Sequence, residues 1–569
     1  MSEKKLFARK ATGLVREIGI LTAAIIILCN VIGLGWQKRI FQFTGAAPLP
    51  ENLWLAGIPP MLMAFIIGGI VILVSVFAFS ILIAAMPRSG GGYVVISRLI
   101  GPFWAFIGSW LEFLTISWSF GIISVAVFEA IFFIFGPIVG ITGAGITDVA
   151  LFGGGLVLVI LFTAIGSFGV RLAGTLLQVM FWIPAVLTLY ILYLLGSALA
   201  NPSALQAGIT ALGASQGVTG VTAQSYVTAA LAQGLDAANV GNYWTAVFVA
   251  MAGAYFAYIG YAASTFVAGE VKEANKTLPR VLLLSSFIIM ILYVVVSGLA
   301  AYSTAALAKV TVNGNVWDFF EAYAYLSYGG GAHWFTSAAN TVTPHIKAWS
   351  TTIAATTGIG LGLSSLNWLV LIFAIFWVAN DIPPFILTAS RILFAMAFDR
   401  VLPNSLANVN ERFHSPVNAT IVCGLFALLG CFSESGVLNS GGSWNPGGAL
   451  GGSLNAVFSV GVQTTDLYDA IFFTLFALSL VFLPYRKSAA RIYETAPIKY
   501  GGKMGMALIG VAGVIANLVI DYMVLAEALS VWWMLVFFIV VGALVYFYYR
   551  YGKSKEVDYS TIFTEIPPE

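Results

Sequence analysis

The feature that most limits what this chain can become is the length of its uncharged runs. A helix needs about 20 mostly apolar residues to cross a bilayer, because lipid offers the backbone no hydrogen-bond partners. Twelve such runs follow one another along 569 residues, beginning near Ile18, Gly57, Phe103, Ala150, Leu172, Tyr243, Val281, Leu366, Val417, Leu467, Met504 and Val531. Charged residues make up 9% of the chain, against roughly a quarter in a soluble domain. Too few charges exist to coat several water-soluble domains. The fold class expected is therefore an all-α integral membrane protein with about twelve transmembrane helices, here numbered as spans in chain order.

The positive charges orient the spans. Of 26 lysines and arginines, 22 fall in the N-terminal tail, the even-numbered connections and the C-terminal tail; the exceptions are Lys38, Arg39, Lys309 and Lys347. This asymmetry predicts that both termini are cytoplasmic; the location expected for the multi-pass chain is the plasma membrane. The outer connections 199–242, 303–365 and 433–466 are rich in small and polar residues and nearly free of basic ones. They are too short for independent domains and long enough to act as lids.

Other classes lose support. A net charge of +2 without a basic stripe leaves nucleic acid no electrostatic footprint. Cys29, Cys423 and Cys431 lie in apolar stretches without metal-ligand spacing, and His333, His345 and His414 are scattered, so no metal site and no disulfide frame is expected. No small-residue cleavage site follows the first apolar run, so no cleavable signal peptide is expected either.

Two spans carry glycine at mid-membrane. Span 1 contains Cys29-Asn30-Val31-Ile32-Gly33-Leu34-Gly35-Trp36, and span 6 contains Tyr255-Phe256-Ala257-Tyr258-Ile259-Gly260-Tyr261. Glycine admits backbone angles that other residues resist and leaves the main chain uncovered. If span 1 unwinds at its G-x-G, the amides opening its outer half form a positive helix end suited to a carboxylate. If span 6 unwinds, its carbonyls accept from an ammonium group. An amide pole and a carbonyl pole a few ångströms apart would recognise a zwitterion. Interrupted helices at corresponding places in two five-helix halves mark an inverted-repeat transporter. The alternative is close helix packing through glycine.

Four ordered stretches give the chain a family likeness: Asn30-Val-Ile-Gly-Leu-Gly-Trp36; Met86-Pro-Arg-Ser-Gly-Gly-Gly-Tyr93 with Ser97-Arg98 and Gly101-Pro102; Phe256-Ala-Tyr-Ile-Gly-Tyr261 with Gly269-Glu-Val-Lys272 and Thr277-Leu-Pro-Arg280; and Ser390-Arg-Ile-Leu-Phe-Ala-Met396 with Asp399-Arg-Val-Leu-Pro403 and Ser415-Pro-Val-Asn-Ala419. Over residues 15–485 the chain resembles the amino acid–polyamine–organocation superfamily, specifically its amino acid permeases. The resemblance implies a five-plus-five inverted repeat with discontinuous helices 1 and 6, and a substrate held near the midplane. It implies that the amides of Gly33, Leu34 and Gly35 bind the substrate carboxylate. Carbonyls of Val31, Phe256 and Ile259 would bind the ammonium, next to Gly260, and Phe256 would close over the substrate as a gate. It also implies that the Pro87–Gly91 segment dips back toward the inner membrane face. Leu34 stands where some relatives carry a small or hydroxyl residue. The organisation expected is a tail at 1–16, a first repeat at 17–198, an outer loop at 199–242, a second repeat at 243–485, spans 11 and 12 with their preceding loop at 486–549, and a tail at 550–569.

Ionisable groups at membrane depth are functional candidates by default. Asp381, in Asn380-Asp381-Ile382-Pro383-Pro384, could titrate a proton or ligate a cation with Asn30 nearby; otherwise it caps a kink made by the prolines, which free upstream carbonyls. Glu112 either cycles a proton or bridges helices as a neutral acid. Glu129 lies nearer the outer face, where snorkelling explains it. Lys38 and Arg39, one turn beyond the glycines, draw an anionic substrate or seal an outer gate, or else reach outside water or an acidic loop residue. Glu270, Lys272, Glu273 and Asp399 read as solvated loop charges with at most an inner-gate role. Proton-coupled relatives can carry a lysine in span 5, which has none here and carries Pro184 instead.

The function expected is secondary active transport of amino acids by alternating access, with proton coupling first and amino acid/polyamine exchange or sodium coupling as alternatives. The partners are a small-molecule amino acid or amine and the lipid bilayer, with no cofactor beyond a proton or sodium ion. A membrane-embedded enzyme would call for HExxH, GxSxG or paired acids at depth, and a channel for a filter sequence; neither motif nor filter is present.

Overall fold

The computed structural model describes residues 16–139, 148–330, 340–437, 461–527 and 531–553. His333, nearly all of the expected N-terminal tail and most of 433–466 and 550–569 lie outside them. Among the described residues, eleven helices are long and apolar enough to cross a membrane: Ile20–Ala46, Pro60–Ala85, Pro102–Phe132, Asp148–Ser167, Leu172–Ala200, Ala274–Ala305, Ser364–Phe398, Val417–Ser435, Gly461–Phe482, Gly502–Ala526 and Trp532–Gly552. They correspond to spans 1–5 and 7–12. Span 6 is absent from that set because it breaks: its helix runs Tyr243–Tyr258 and resumes only as Ala263–Phe266.

Span 3 is the axis of the bundle. Its most apolar stretch is 94% buried, against 28% for spans 4, 5 and 12, which turn their apolar faces outward. Spans 3 and 9 cross at glycines: a Cβ on Gly121 would collide with the Ala427 carbonyl and the Cys431 amide, and one on Gly430 with the Trp118 carbonyl. Close backbone approach through small residues is how helices associate where lipid supplies no hydrophobic drive.

The end of the bundle that carries most of the positive charge, expected to be the inner one, is closed by backbone pairing. Ile18 donates to the Glu270 carbonyl at 3.0 Å and accepts from the Lys272 amide at 2.9 Å, while the Gly90 amide in the Pro87–Gly91 turn donates to Phe266 at 2.8 Å. Two ion pairs reinforce the seal: Arg391 with Glu270 at 2.8 Å and Arg98 with Asp399 at 2.5 Å. The reading of Glu270 and Asp399 as solvated is thereby corrected; both are buried. Sequence spacing gave them loop positions, but their arginine partners lie 121 and 301 residues away. Lys272 and Glu273 are exposed as expected.

The outer connections form a structured cap. It comprises helices Pro202–Ser215, Ala223–Ala232, Phe319–Tyr328 and Ser350–Gly360 and a hairpin pairing Lys309–Val312 with Asn315–Asp318. Asp236 anchors the hairpin, accepting from Asn313, Asn315 and Trp317 at 2.7–2.8 Å, and these bonds hold its carboxyl below the usual range. Helix Phe319–Tyr328 packs on the outer end of span 1, where Gly45 meets the Ala324 carbonyl. At its start Asp318 accepts from the Glu321 amide at 2.9 Å, a side-chain N-cap.

Two outcomes follow. Gly121→Val overpacks the span 3–span 9 crossing and is expected to cost about 1–3 kcal/mol, read as a lowered melting temperature in detergent. Gly196→Ala, which meets nothing within 4 Å, leaves that temperature unchanged or slightly raised. Burial pushes Asp318 from its ordinary 3.8 up to about 7, and burial together with Asp318 pushes Glu321 well above the carboxylate range. An acid raised in the folded state stabilises while protonated, so the Asp318 contribution is full below pH 3.8 and is lost as pH rises to about 7. Amide exchange in Phe319–Tyr328 is expected to speed up across that window beyond the intrinsic pH effect, and Asp318→Asn to flatten the change.

Candidate functional site

The first break is short. Span 1 is regular from Ile20 to Val31, turns at Ile32 (φ −78°, ψ 82°), and restarts through a widened turn, Gly35–Arg39, into Ile40–Ala46. Neither Gly33 nor Gly35 has a positive φ, so of the two roles open to these glycines the structure uses the missing side chain and not the backbone freedom. They permit approach: a Cβ on Gly33 would strike the Asp381 carboxyl and one on Gly35 would strike Ala257. The second break is deeper. Ile259 leaves the helix at ψ 140° and Gly260 sits at φ +98°, where glycine is required, with Asn30 packed against it. The third lies at Asn380–Asp381, between Asn367–Ala379 and Ile382–Phe398, where Pro383 and Pro384 supply no amides to the preceding turn.

These breaks surround a narrow cavity of ≈ 10 Å³, the space of about one water. Of the residues expected at the site, Asn30, Val31, Leu34, Gly35, Phe256, Ile259 and Asp381 line it. Ser119 and Ile123 of span 3, Ala257 and Phe385 complete the wall, and every lining residue is buried. Gly33 and Gly260 stand behind the wall as spacers. Ser119 and Ile123 share a helix face four residues apart, a signal readable in sequence, but which face turns inward depends on the packing.

The main-chain poles have neighbours of their own. The Gly33 amide donates to the Val31 carbonyl at 2.9 Å, and the Gln37 side chain donates to the Gly33 carbonyl at 3.1 Å. Leu34 and Gly35 open the resumed helix, where amides lack a preceding turn to bond. On the carbonyl side, Ile259 donates to Tyr255 and Phe256 at 3.2 Å. Tyr293 of span 7, which sequence reasoning missed, places its hydroxyl on the Val31 carbonyl and 2.8 Å from the Ala257 carbonyl. It thereby ties the two breaks together. Each carbonyl retains a second lone pair. Asp381 Oδ1 and Asn30 Oδ1 are buried without a hydrogen-bond partner, giving the inner wall oxygen donors suited to a proton or a small cation.

The outer side is sealed by charge. Lys38 bonds Glu129 at 2.6 Å and Glu434 at 2.8 Å, joining span 1 to the ends of spans 3 and 9. The reading of Glu129 as a snorkelling residue is corrected, since it is buried in this ion pair; so is any reach of Lys38 to outside water. Arg39 is fully buried, with its guanidinium 4.5 Å from the Phe256 ring and bonded to Gln42. A desolvated contact of this kind contributes about 2 kcal/mol. Ser350 of the cap donates to the Trp36 carbonyl at 3.0 Å, satisfying a group released by the widened turn.

Glu112 stands apart from the cavity. It is buried between spans 3 and 10 within hydrogen-bonding reach of Asp469, and Asp469 accepts from the Tyr255 hydroxyl at 2.8 Å. Asp469 carried no distinguishing signal at the start of span 10.

Comparison with known proteins agrees with this architecture. The sequence profile described as amino acid permease matches residues 18–545. An uncharacterized transporter of Mycobacterium tuberculosis is 26% identical over 413 residues, covering 72% of each chain. The serine/threonine exchanger of Bacillus subtilis is 23% identical over 322 residues, 56% of this chain and 62% of that one. The human Asc-type amino acid transporter 1 is 24% identical over 431 residues, covering 73% and 65%. Among solved structures, MhsT in complex with L-phenylalanine superposes with a TM-score of 0.53 at 15% identity over 92% of this chain and 100% of that one, a likeness of fold.

Removing one partner of a buried ion pair leaves the other charge uncompensated, at a cost of about 3–5 kcal/mol. Lys38→Met is therefore expected to lower thermal stability in detergent strongly. Adding Glu129→Gln and Glu434→Gln, which removes the stranded charges, is expected to recover much of the loss.

Proposed function

Since the chain belongs to the amino acid permease family, we propose that this amino acid transporter is a secondary active one, working by alternating access and driven by protons. The carrying observation is a small cavity between two broken helices, with separate sets of contacts on its outer and inner sides. Separate closures allow one end to open while the other stays shut, which is what alternating access requires. The amides of Leu34 and Gly35 receive the substrate carboxylate, carbonyls of Val31, Phe256 and Ile259 receive the ammonium, and Phe256 under Arg39 closes the outer path. Gly33 and Gly260 hold the poles at the right separation. The wall contributed by Leu34, Ile123, Ala257, Phe256 and Phe385 suits a neutral side chain, in keeping with the serine/threonine named for one relative.

The protein resides in the plasma membrane in this reading, and the charge asymmetry supports cytoplasmic placement of both termini. A buried carboxyl, Asp381 or Glu112, carries the driving proton. The orphaned oxygens of Asp381 and Asn30 favour a second reading, in which sodium binds at the inner wall. Exchange of one amino acid or amine for another is the further alternative.

The test is uptake of labelled amino acids by purified protein in liposomes. Saturable uptake is expected, and an inward gradient of one pH unit is expected to support up to about tenfold accumulation for one proton per substrate. A sodium gradient in its place is expected to add nothing. Failure to move any amino acid or amine, or conductance without saturation, would overturn the reading.

A further inference from the structure

We propose that the driving proton is carried by a carboxyl pair, Glu112 of span 3 and Asp469 of span 10, and is reported to the substrate cavity by Tyr255. The proposal deepens the proton-driven reading above and depends on it. Asp469 accepts from Tyr255 at 2.8 Å and lies within hydrogen-bonding reach of Glu112. Two ionised carboxylates are acceptors only, so a hydrogen bond between them requires a proton on one. Asp469, already accepting from a phenol, is the acceptor, and Glu112 holds the hydrogen.

The surroundings make that hydrogen consequential. Glu112 and Asp469 are 2% and 1% exposed. Apart from each other, the titratable groups facing the pair are Tyr255 and Tyr261 of span 6 and Asp521 of span 11; no basic group acts on it. Glu112 Oε2 and Asp469 Oδ1 have no hydrogen-bond partner. The buried Tyr261 hydroxyl lies within hydrogen-bonding reach of Tyr255 and adds a polar group to this site beyond the two acids. When Glu112 gives up its proton to water, two like charges face each other in an apolar enclosure, and the helices bearing them must separate or admit water. When a proton from water binds the Glu112 carboxylate, the bridge reforms.

Two routes connect the pair with the cavity. Tyr255 is the residue before Phe256, and its carbonyl accepts from Ile259 at the span 6 break. Along span 3, Glu112, Thr115 and Ser119 recur at helical spacing on one face, over about 10 Å, and Ser119 ends that stripe in the cavity wall with its hydroxyl unpartnered. The state of the pair therefore acts on the carbonyl pole of the substrate site. Tyr255 is a positioning residue in this scheme.

The experiment measures amino acid accumulation in liposomes with an inward gradient of one pH unit and without one, membrane potential clamped. Wild type is expected to show a ratio of up to about ten, Glu112→Gln a ratio near one, and Glu112→Asp partial recovery. Tyr255→Phe is expected to move the midpoint of the pH profile, whereas loss of a structural contact alone would lower uptake equally at every pH. Thermal stabilisation by substrate reports whether each variant is folded; if Glu112→Gln is not, the Tyr255→Phe profile decides, and an unmoved midpoint overturns the proposal. Equal ratios in wild type and folded Glu112→Gln overturn it, as does wild-type exchange that ignores pH or follows sodium. Wild type that moves no amino acid defeats the transport reading itself, a result distinct from all of these.

Discussion

Every backbone amide and carbonyl at membrane depth has to find a partner inside the protein, and the form of this molecule follows from that demand. Regular helices meet it within themselves. Spans 1 and 6 do not, and they survive because neighbouring elements fill the gaps. Tyr293 shares its one hydroxyl hydrogen between the Val31 and Ala257 carbonyls, Ser350 bonds Trp36, Gln37 bonds Gly33, and the Val31 carbonyl takes the Gly33 amide. The main-chain groups left over face a cavity rather than lipid. Irregular backbone at this depth is tolerated only in such a setting, which is why the breaks lie in the middle of the bundle against span 3.

Buried charge obeys the same economy. Lys38 meets two carboxylates, and Arg98 and Arg391 meet one each. All these pairs join elements distant in sequence and sit at the two ends of the cavity. Such pairs add little net stability, because desolvation offsets their attraction. Their value lies in specificity: each fixes one buried charge to a defined partner far away in the sequence. Glu112 and Asp469 differ, since they face each other and no basic side chain among the described residues acts on them. Only a bound proton, or a bound ion in its place, makes that arrangement stable.

Much of the site was legible in the sequence because its signals are local. Glycine at mid-span, tandem proline after Asp381 and acids within apolar runs break strong rules about membrane helices, and breaches of strong rules stand out. Asn30, Val31, Leu34, Gly35, Phe256, Ile259 and Asp381 all reached the cavity wall. The sequence left two roles open for the first two glycines, and the structure chooses close approach, since Gly33 and Gly35 keep ordinary backbone angles and are small for the sake of Asp381 and Ala257. Their reason lies on other helices. Tyr293, Asp469 and Phe385 stayed hidden for the same cause, because an aromatic or acid on a helix acquires meaning only from what it faces.

By itself the sequence determined the class, the number of crossings, the positions of the helix breaks and the direction suggested by its positive charges. Each of these depends on composition or spacing within a single run of about 20 residues, the length scale that the bilayer imposes. Tertiary structure alone decided which face of span 3 lines the cavity, that Glu129, Glu270 and Asp399 are buried partners instead of solvated ends, and that Glu112 meets Asp469. Those outcomes join residues far apart in the chain, and side chains brought together by packing leave no periodic trace in the segments that carry them.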